Sequence, residues 1–267
     1  MKLAVETITP EIAAEMLTKN TGNRKISNAR VAILANEMKA GRWQANGESV
    51  KLNGDRLLDG QHRLKAVVDS GVPIETVVVR GLPDSVFATI DQQRKRSAND
   101  VLARNGEVNT TNLAATIRTI VDLRNPDKKS KRSNSILPNA FFIDMITKEP
   151  GIAESLAEVH SRMTTVWRIS RGASTPAAFH YLFGQSHPTL RDEFFHKLDT
   201  GEGAKEGDPV WLLRQRLIEN CASSRPVERT IVMAWYAKSW AATVKGTPMR
   251  ILKWSPGKEE FPEIVGQ

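Results

Sequence analysis

The sequence predicts an α+β protein: a mixed strand-and-helix domain over residues 1–106, then a mainly helical domain over 107–267 with an irregular tail. Two observations carry this. Before Asn109, stretches with apolar–polar alternation interleave with stretches of helical spacing. After it, apolar residues recur at helical spacing and no strand pattern intervenes before the tail.

LAVETIT (3–9) alternates as a half-buried strand does, and Thr9-Pro10-Glu11 supplies a cap and a first-turn proline for a helix over 10–18. Ser27 caps a second helix, whose apolar residues Val31, Leu34, Ala35 and Met38 share a face and which Gly41 ends. Ser49–Leu52 and Arg56–Leu58 read as strands joined through Asn53-Gly54, a strong hairpin signal. Leu64, Val67 and Val68 keep helical spacing up to the stop Ser70-Gly71-Val72-Pro73, and IETVVVRGL is a buried strand. Asp84 and Ser85 open a helix through Phe87 and Ile90, and Ser97 or Asn99 caps another through Leu102. Further helices are predicted over 112–124, 138–148, 152–170, 176–184, 189–198, 209–221 and 226–244, with PDKKSKRSNS (126–135) as a basic linker. In the tail, Trp254 and Phe261 should pack back on the body.

The chain has 267 residues and a formal charge of +8, which leans towards polyanionic partners. Cys221 is the only cysteine, so an internal disulfide and a cysteine metal cluster are excluded. The N-terminus lacks the apolar core of a signal peptide, and no stretch approaches the roughly 18 apolar residues of a membrane span. A cytoplasmic protein with no membrane partner is expected.

The run Asp59-Gly60-Gln61-His62-Arg63 falls where a strand hands over to a helix. A helix start exposes unpaired N–H groups and a partial positive charge, which attract anions. Gly60 would let a phosphate approach the backbone, Arg63 offers a planar fork of donors, and His62 adds one more. Asp59 suits either a helix cap or a carboxylate ligand to a nucleotide-bound metal. Ordinary turn chemistry remains an alternative, with His62 bonded to a neighbouring carbonyl and Arg63 paired with Asp59 or Glu48. Arginine in a first helical turn opposes the dipole, however, so its placement favours an anionic ligand.

Over residues 1–105 the order of features resembles the N-terminal domain of the ParB and sulfiredoxin-like superfamily. Gly60-Gln61-His62-Arg63-Leu64-Lys65-Ala66 is similar to its GxxRxxA phosphate box, and DGQHR resembles the signature of the DGQHR-motif branch that includes DndB-like proteins. Asn20-Thr21-Gly22-Asn23-Arg24-Lys25-Ile26 resembles the NPxQPR segment. The third box, ENxxR, corresponds to Ile90-Asp91-Gln92-Gln93-Arg94, without its glutamate.

The resemblance implies a nucleoside triphosphate (ATP or CTP) with Mg²⁺, bound by Arg24, Gly60, Gln61, His62, Arg63 and Ala66. Asp59 and Asp91 are the metal candidates, and a catalytic role would fall to Asp59, His62 and Asp91. It further implies association with DNA, NTP hydrolysis, and a helical domain that contacts DNA or forms a homodimer. Alternatives on this fold are a Mg²⁺-dependent nuclease or ATP-dependent phosphotransferase, and an interaction factor without catalysis. Chains pairing such a domain with a helical remainder resemble proteins of phages and mobile elements, which would place this one in a host cytoplasm.

Arg94, Lys95 and Arg96 are the candidates for contact with a nucleic-acid backbone. His160, His180, His187 and His196 show no zinc spacing. Trp211, Trp235, Tyr236 and Trp240 lie at helical spacings that suit core packing better than base stacking.

Overall fold

A computed structural model describes residues 1–23, 25–83, 86, 97–125 and 137–265. The α+β class holds: the described residues form a four-stranded mixed sheet and twelve helices. The chain divides into two compact units, Met1–Lys95 with Ser135–Ala140, and Arg96–Asn134 with Phe141–Gln267. Apart from Val86, the helix expected from Asp84 lies outside the described residues, as does the linker 126–135.

In the first unit the order is β1 (Lys2–Ile8), α1 (Pro10–Thr18), α2 (Asn28–Lys39), β2 (Ser49–Asn53), β3 (Arg56–Asp59), α3 (Gln61–Ser70) and β4 (Ile74–Arg80). The sheet runs β1-β4-β2-β3, with β1 antiparallel to β4, β4 parallel to β2, and β2 antiparallel to β3. Parallel strands need a long crossover, and α3 provides it between β2/β3 and β4. Its buried Leu64, Ala66 and Val67 join Val31, Ala35 and Met38 of α2 and Ile8, Val50 and Val78 of the sheet in one core.

The helix starts form as their sequences suggest. Thr9 accepts the Ile12 N–H with Pro10 at the first helical position, and Ser27 accepts the Arg30 N–H. The β2–β3 hairpin departs from simple alternation. Asn53 pairs with Arg56 and Leu52 with Leu57, but Lys51 pairs with Asp59, so Leu58 is an extra, bulged residue. Asp59 therefore shares a face with Lys51 instead of with Leu57, and Leu57 and Leu58 are both buried.

The second unit contains α4 (Ala98–Arg104), α5 (Thr110–Arg124), α6 (Asn139–Lys148) from Phe141 onward, α7 (Gly151–Arg162), α8 (Thr164–Ile169), α9 (Ser174–Gly184), α10 (Pro188–Thr200), α11 (Pro209–Ala222) and α12 (Arg229–Val244). Ser97 caps α4 in a reciprocal capping box with Asp100. Every residue of α9 from Thr175 to Phe183 is buried, as befits a helix apolar nearly all round, and α5, α7, α10 and α12 pack about it. Phe183 stacks on Trp240 with centroids 4.0 Å apart, and Phe179 on Tyr236 at 5.0 Å. Both α12 aromatics are fully buried, so they serve the core.

The single helix expected over 152–170 is broken at Met163 (φ −113°, ψ 58°). Its second half has its own cap: the Asp199 carboxylate on α10 accepts the Val166 N–H at 2.9 Å. In the tail, Trp254 is buried edge-on to Phe261 and donates its indole N–H to the Glu260 carbonyl. No helix among the described residues is long and apolar enough to cross a membrane.

Candidate functional site

The junction between β3 and α3 is built on Gly60, with φ +104° and ψ 2°. That backbone is costly for a residue with a Cβ, and a Cβ there would stand 3.1 Å from Val50 Cγ2 and 3.3 Å from Val50 Cα. Glycine is thus demanded by the turn and by its packing on β2, before any ligand is considered. Gly60, in the N-cap position, has no side chain with which to cap the helix that follows.

Asp59, a sequence candidate for helix cap, metal ligand and catalysis, accepts the Gly60 N–H at Oδ1 (2.7 Å) and the Lys51 ammonium at Oδ2 (2.8 Å). It offers a single carboxylate, already in an ion pair. Among the described residues no group of three or more His, Cys, Asp or Glu is placed to hold a metal ion. A magnesium ion here would therefore depend on ligand phosphates for most of its coordination, as such ions commonly do.

The structure does bring the 19–27 segment to this junction. Lys19 O accepts the Leu57 N–H at 2.8 Å, Asn23 donates to the Leu57 carbonyl at 2.6 Å, and Arg56 donates to the Thr21 carbonyl at 3.1 Å. Asn20 donates to the buried Gln61 side chain at 3.0 Å, and His62 Nε2 accepts the Ser27 N–H at 3.0 Å. Gln61 and His62, assigned to ligand binding from sequence, thus also tie the loop and the start of α2 to the start of α3. An acceptor Nε2 implies a neutral ring with its proton on Nδ1. Replacing His62 with Leu should cost about 0.5–1.5 kcal/mol, the worth of one such hydrogen bond. Amide hydrogen exchange should report it as lost protection at Ser27 and its neighbours, with α9 unchanged.

Arg63 is 9% exposed. Its Nη2 donates to Glu48 Oε2 at 2.8 Å, and its guanidinium carbon lies 5.8 Å from the centroid of the Trp43 ring. Its Nη1 is buried with no hydrogen-bond partner among the described residues. Since a buried, unmet guanidinium donor is costly, this nitrogen is the strongest local demand for an acceptor. The partner Glu48 is itself 73% exposed, so it can swing away without unpacking the core. Ala66, by contrast, is fully buried in the core, where its small size lets α3 pack on α1 and α2.

Two residues join the junction unforeseen. Lys51 is hidden in the sequence because a regular hairpin would set it opposite Leu58, and only the bulge brings it to Asp59. Trp43 is fixed by its indole N–H, which donates to the Glu75 carbonyl at 3.2 Å; its aromatic type, just after the stop of α2, was the available signal. Arg24, Asp91, Arg94, Lys95 and Arg96 lie outside the described residues.

Two of the second unit's histidines serve packing, whereas His196 is exposed, with Nε2 3.5 Å from Glu202. His180 is buried and bonded to Ser155, and His160 stacks on Trp167. The chain matches no family model, no curated protein and no solved structure.

Proposed function

We propose that the first unit binds the phosphate groups of a nucleotide at the start of α3, and that the protein acts in association with DNA. The observation that carries this reading is Arg63, a buried guanidinium whose Nη1 donor is unmet among the described residues, in the first turn of a helix whose N-cap is glycine. Anions are favoured at such a helix start, and an arginine fork suits phosphate oxygens. The resemblance of Gly60 to Ala66 to the GxxRxxA box supports the same ligand class, and the net charge of +8 suits a polyanionic partner.

On this reading Glu48 holds Arg63 while the ligand is absent and yields it to phosphate, while Gln61, His62 and Asn20 keep the loop against the junction. Asp59 is the described carboxylate that would contribute to a nucleotide-bound Mg²⁺, with Lys51 adding positive charge beside it. Hydrolysis, strand cleavage or phosphoryl transfer would be chemistry added to this shared binding step.

The test is thermal unfolding of the full chain with ATP, CTP, GTP and UTP, each with and without Mg²⁺, and with inorganic phosphate. A nucleotide at 100 times its dissociation constant should stabilise the chain by about 2.7 kcal/mol. Arg63→Ala should abolish that gain. If no nucleotide shifts the wild-type transition, the reading is wrong; a shift that Arg63→Ala leaves intact would place the phosphates elsewhere.

A further inference from the structure

Strand β1 is an edge of the sheet: β4 lies on one side, and no described strand lies on the other. Leu3 and Val5 project from one face of it and remain 62% and 68% exposed, while Ala4 on the opposite face is exposed as well. Their partners across the ladder, Val79 and Val77, continue the apolar strip into the sheet. Native proteins rarely leave an apolar edge open, because it is a template for another strand.

The charges of β1 indicate which strand fits. When a strand pairs antiparallel with its own copy about a two-fold axis, the residue on the axis faces itself and its neighbours face one another in reverse order. With the axis through Ala4, Lys2 faces Glu6 and Leu3 faces Val5, each pair occurring twice. With the axis through Val5, Lys2 would face Ile8 and Leu3 would face Thr7; through Leu3, Lys2 would face Ala4. Of these three, only the Ala4 register joins opposite charges and apolar side chains together, the pairings that favour adjacent strands. Glu6 is held in place by Arg80 of β4, whose Nη2 donates to it at 2.9 Å, so its carboxylate is positioned in advance.

We propose that two copies of the chain associate through β1, antiparallel about an axis through Ala4, to make one continuous sheet of twice four strands. The surface is independent of the phosphate site, so either assignment can fail alone. A single strand pair is a small interface, and the dimer is accordingly weak, with a dissociation constant in the micromolar range.

Sedimentation velocity of the full chain, over roughly a hundredfold range of concentration spanning the micromolar, should show a monomer–dimer equilibrium. Val5→Lys and Lys2→Glu should each weaken it about tenfold or more, the first by setting charge in the apolar strip and the second by setting Glu against Glu6. Val108→Lys, at another exposed apolar position, should leave it unchanged. Facing residues of antiparallel strands lie at disulfide distance, so in a Cys221→Ser background Ala4→Cys should oxidise to a covalent dimer faster than Val5→Cys. All of these substitutions but Cys221→Ser fall on exposed positions, and thermal unfolding of each variant checks that the fold persists. A monomer at every concentration, a dimer indifferent to Val5→Lys, or faster cross-linking at Val5 would overturn the proposal.

Discussion

Gly60→Ala should lower the stability of the first unit by about 2–4 kcal/mol, combining the cost of a non-glycine residue at positive φ with crowding in a filled space. The second contribution arises because the new Cβ meets Val50 at 3.1–3.4 Å, including its Cα, and backbone cannot be moved by a change of rotamer. Gly71 provides the control at the other end of the same helix. It too has a positive φ, +71°, yet a Cβ there meets nothing within 4 Å. Gly71→Ala should therefore cost only about 1 kcal/mol, the conformational part alone. Urea midpoints of the two variants would separate packing from backbone strain, and equal losses would show that the Val50 contact relaxes freely.

Acid should weaken the second unit through His180. Its ring is buried with Nδ1 3.0 Å from the Ser155 hydroxyl and Phe195 edge-on at 5.0 Å. Burial pushes its pKa down to about 4; the nearby Arg191 adds to the effect and Asp192 opposes it. An ordinary histidine titrates near 6.5, so between these values the unfolded chain takes up a proton that the folded chain refuses. The stabilisation is complete above about pH 6.5 and is lost as pH falls towards 4, amounting to about 3 kcal/mol in total. His180→Gln can still bond Ser155 but cannot titrate, so its stability should fall less steeply over that interval. Parallel pH profiles for wild type and variant would disprove the assignment.

Local signals were the legible ones. Thr9, Ser27 and Ser97 mark helix starts because capping is settled within three residues of sequence. The apolar run in α9 and the aromatics of α12 identify a core without any knowledge of their partners. What stayed hidden was long-range. The helix resumed after the break at Met163 is capped at Val166 by a carboxylate 33 positions further on, on α10, and nothing between 152 and 170 announces it. The bulge at Leu58 reverses the face of Asp59, which simple alternation would have kept with Leu57.

The site divided along the same line. That 20–26 should meet the 59–63 junction was implied by the resemblance of both segments to boxes of one fold. The stitches across them, at separations of 34 to 41 residues, were not, so Gln61 and His62 read as ligand groups while their loop-holding bonds went unseen. Glycine at 60 was expected to make room for phosphate; its first task is to make room for Val50.

The burial of α9 on every side also bears on how this sequence is free to drift over generations. A surface helix changes its outer face at little cost, but the nine positions from Thr175 to Phe183 have no outer face. A larger residue there needs a smaller one on α5, α7, α10 or α12, so change must come in matched pairs. In descendants of this chain, α9 should therefore hold its volume and the helices around it should record the compensations.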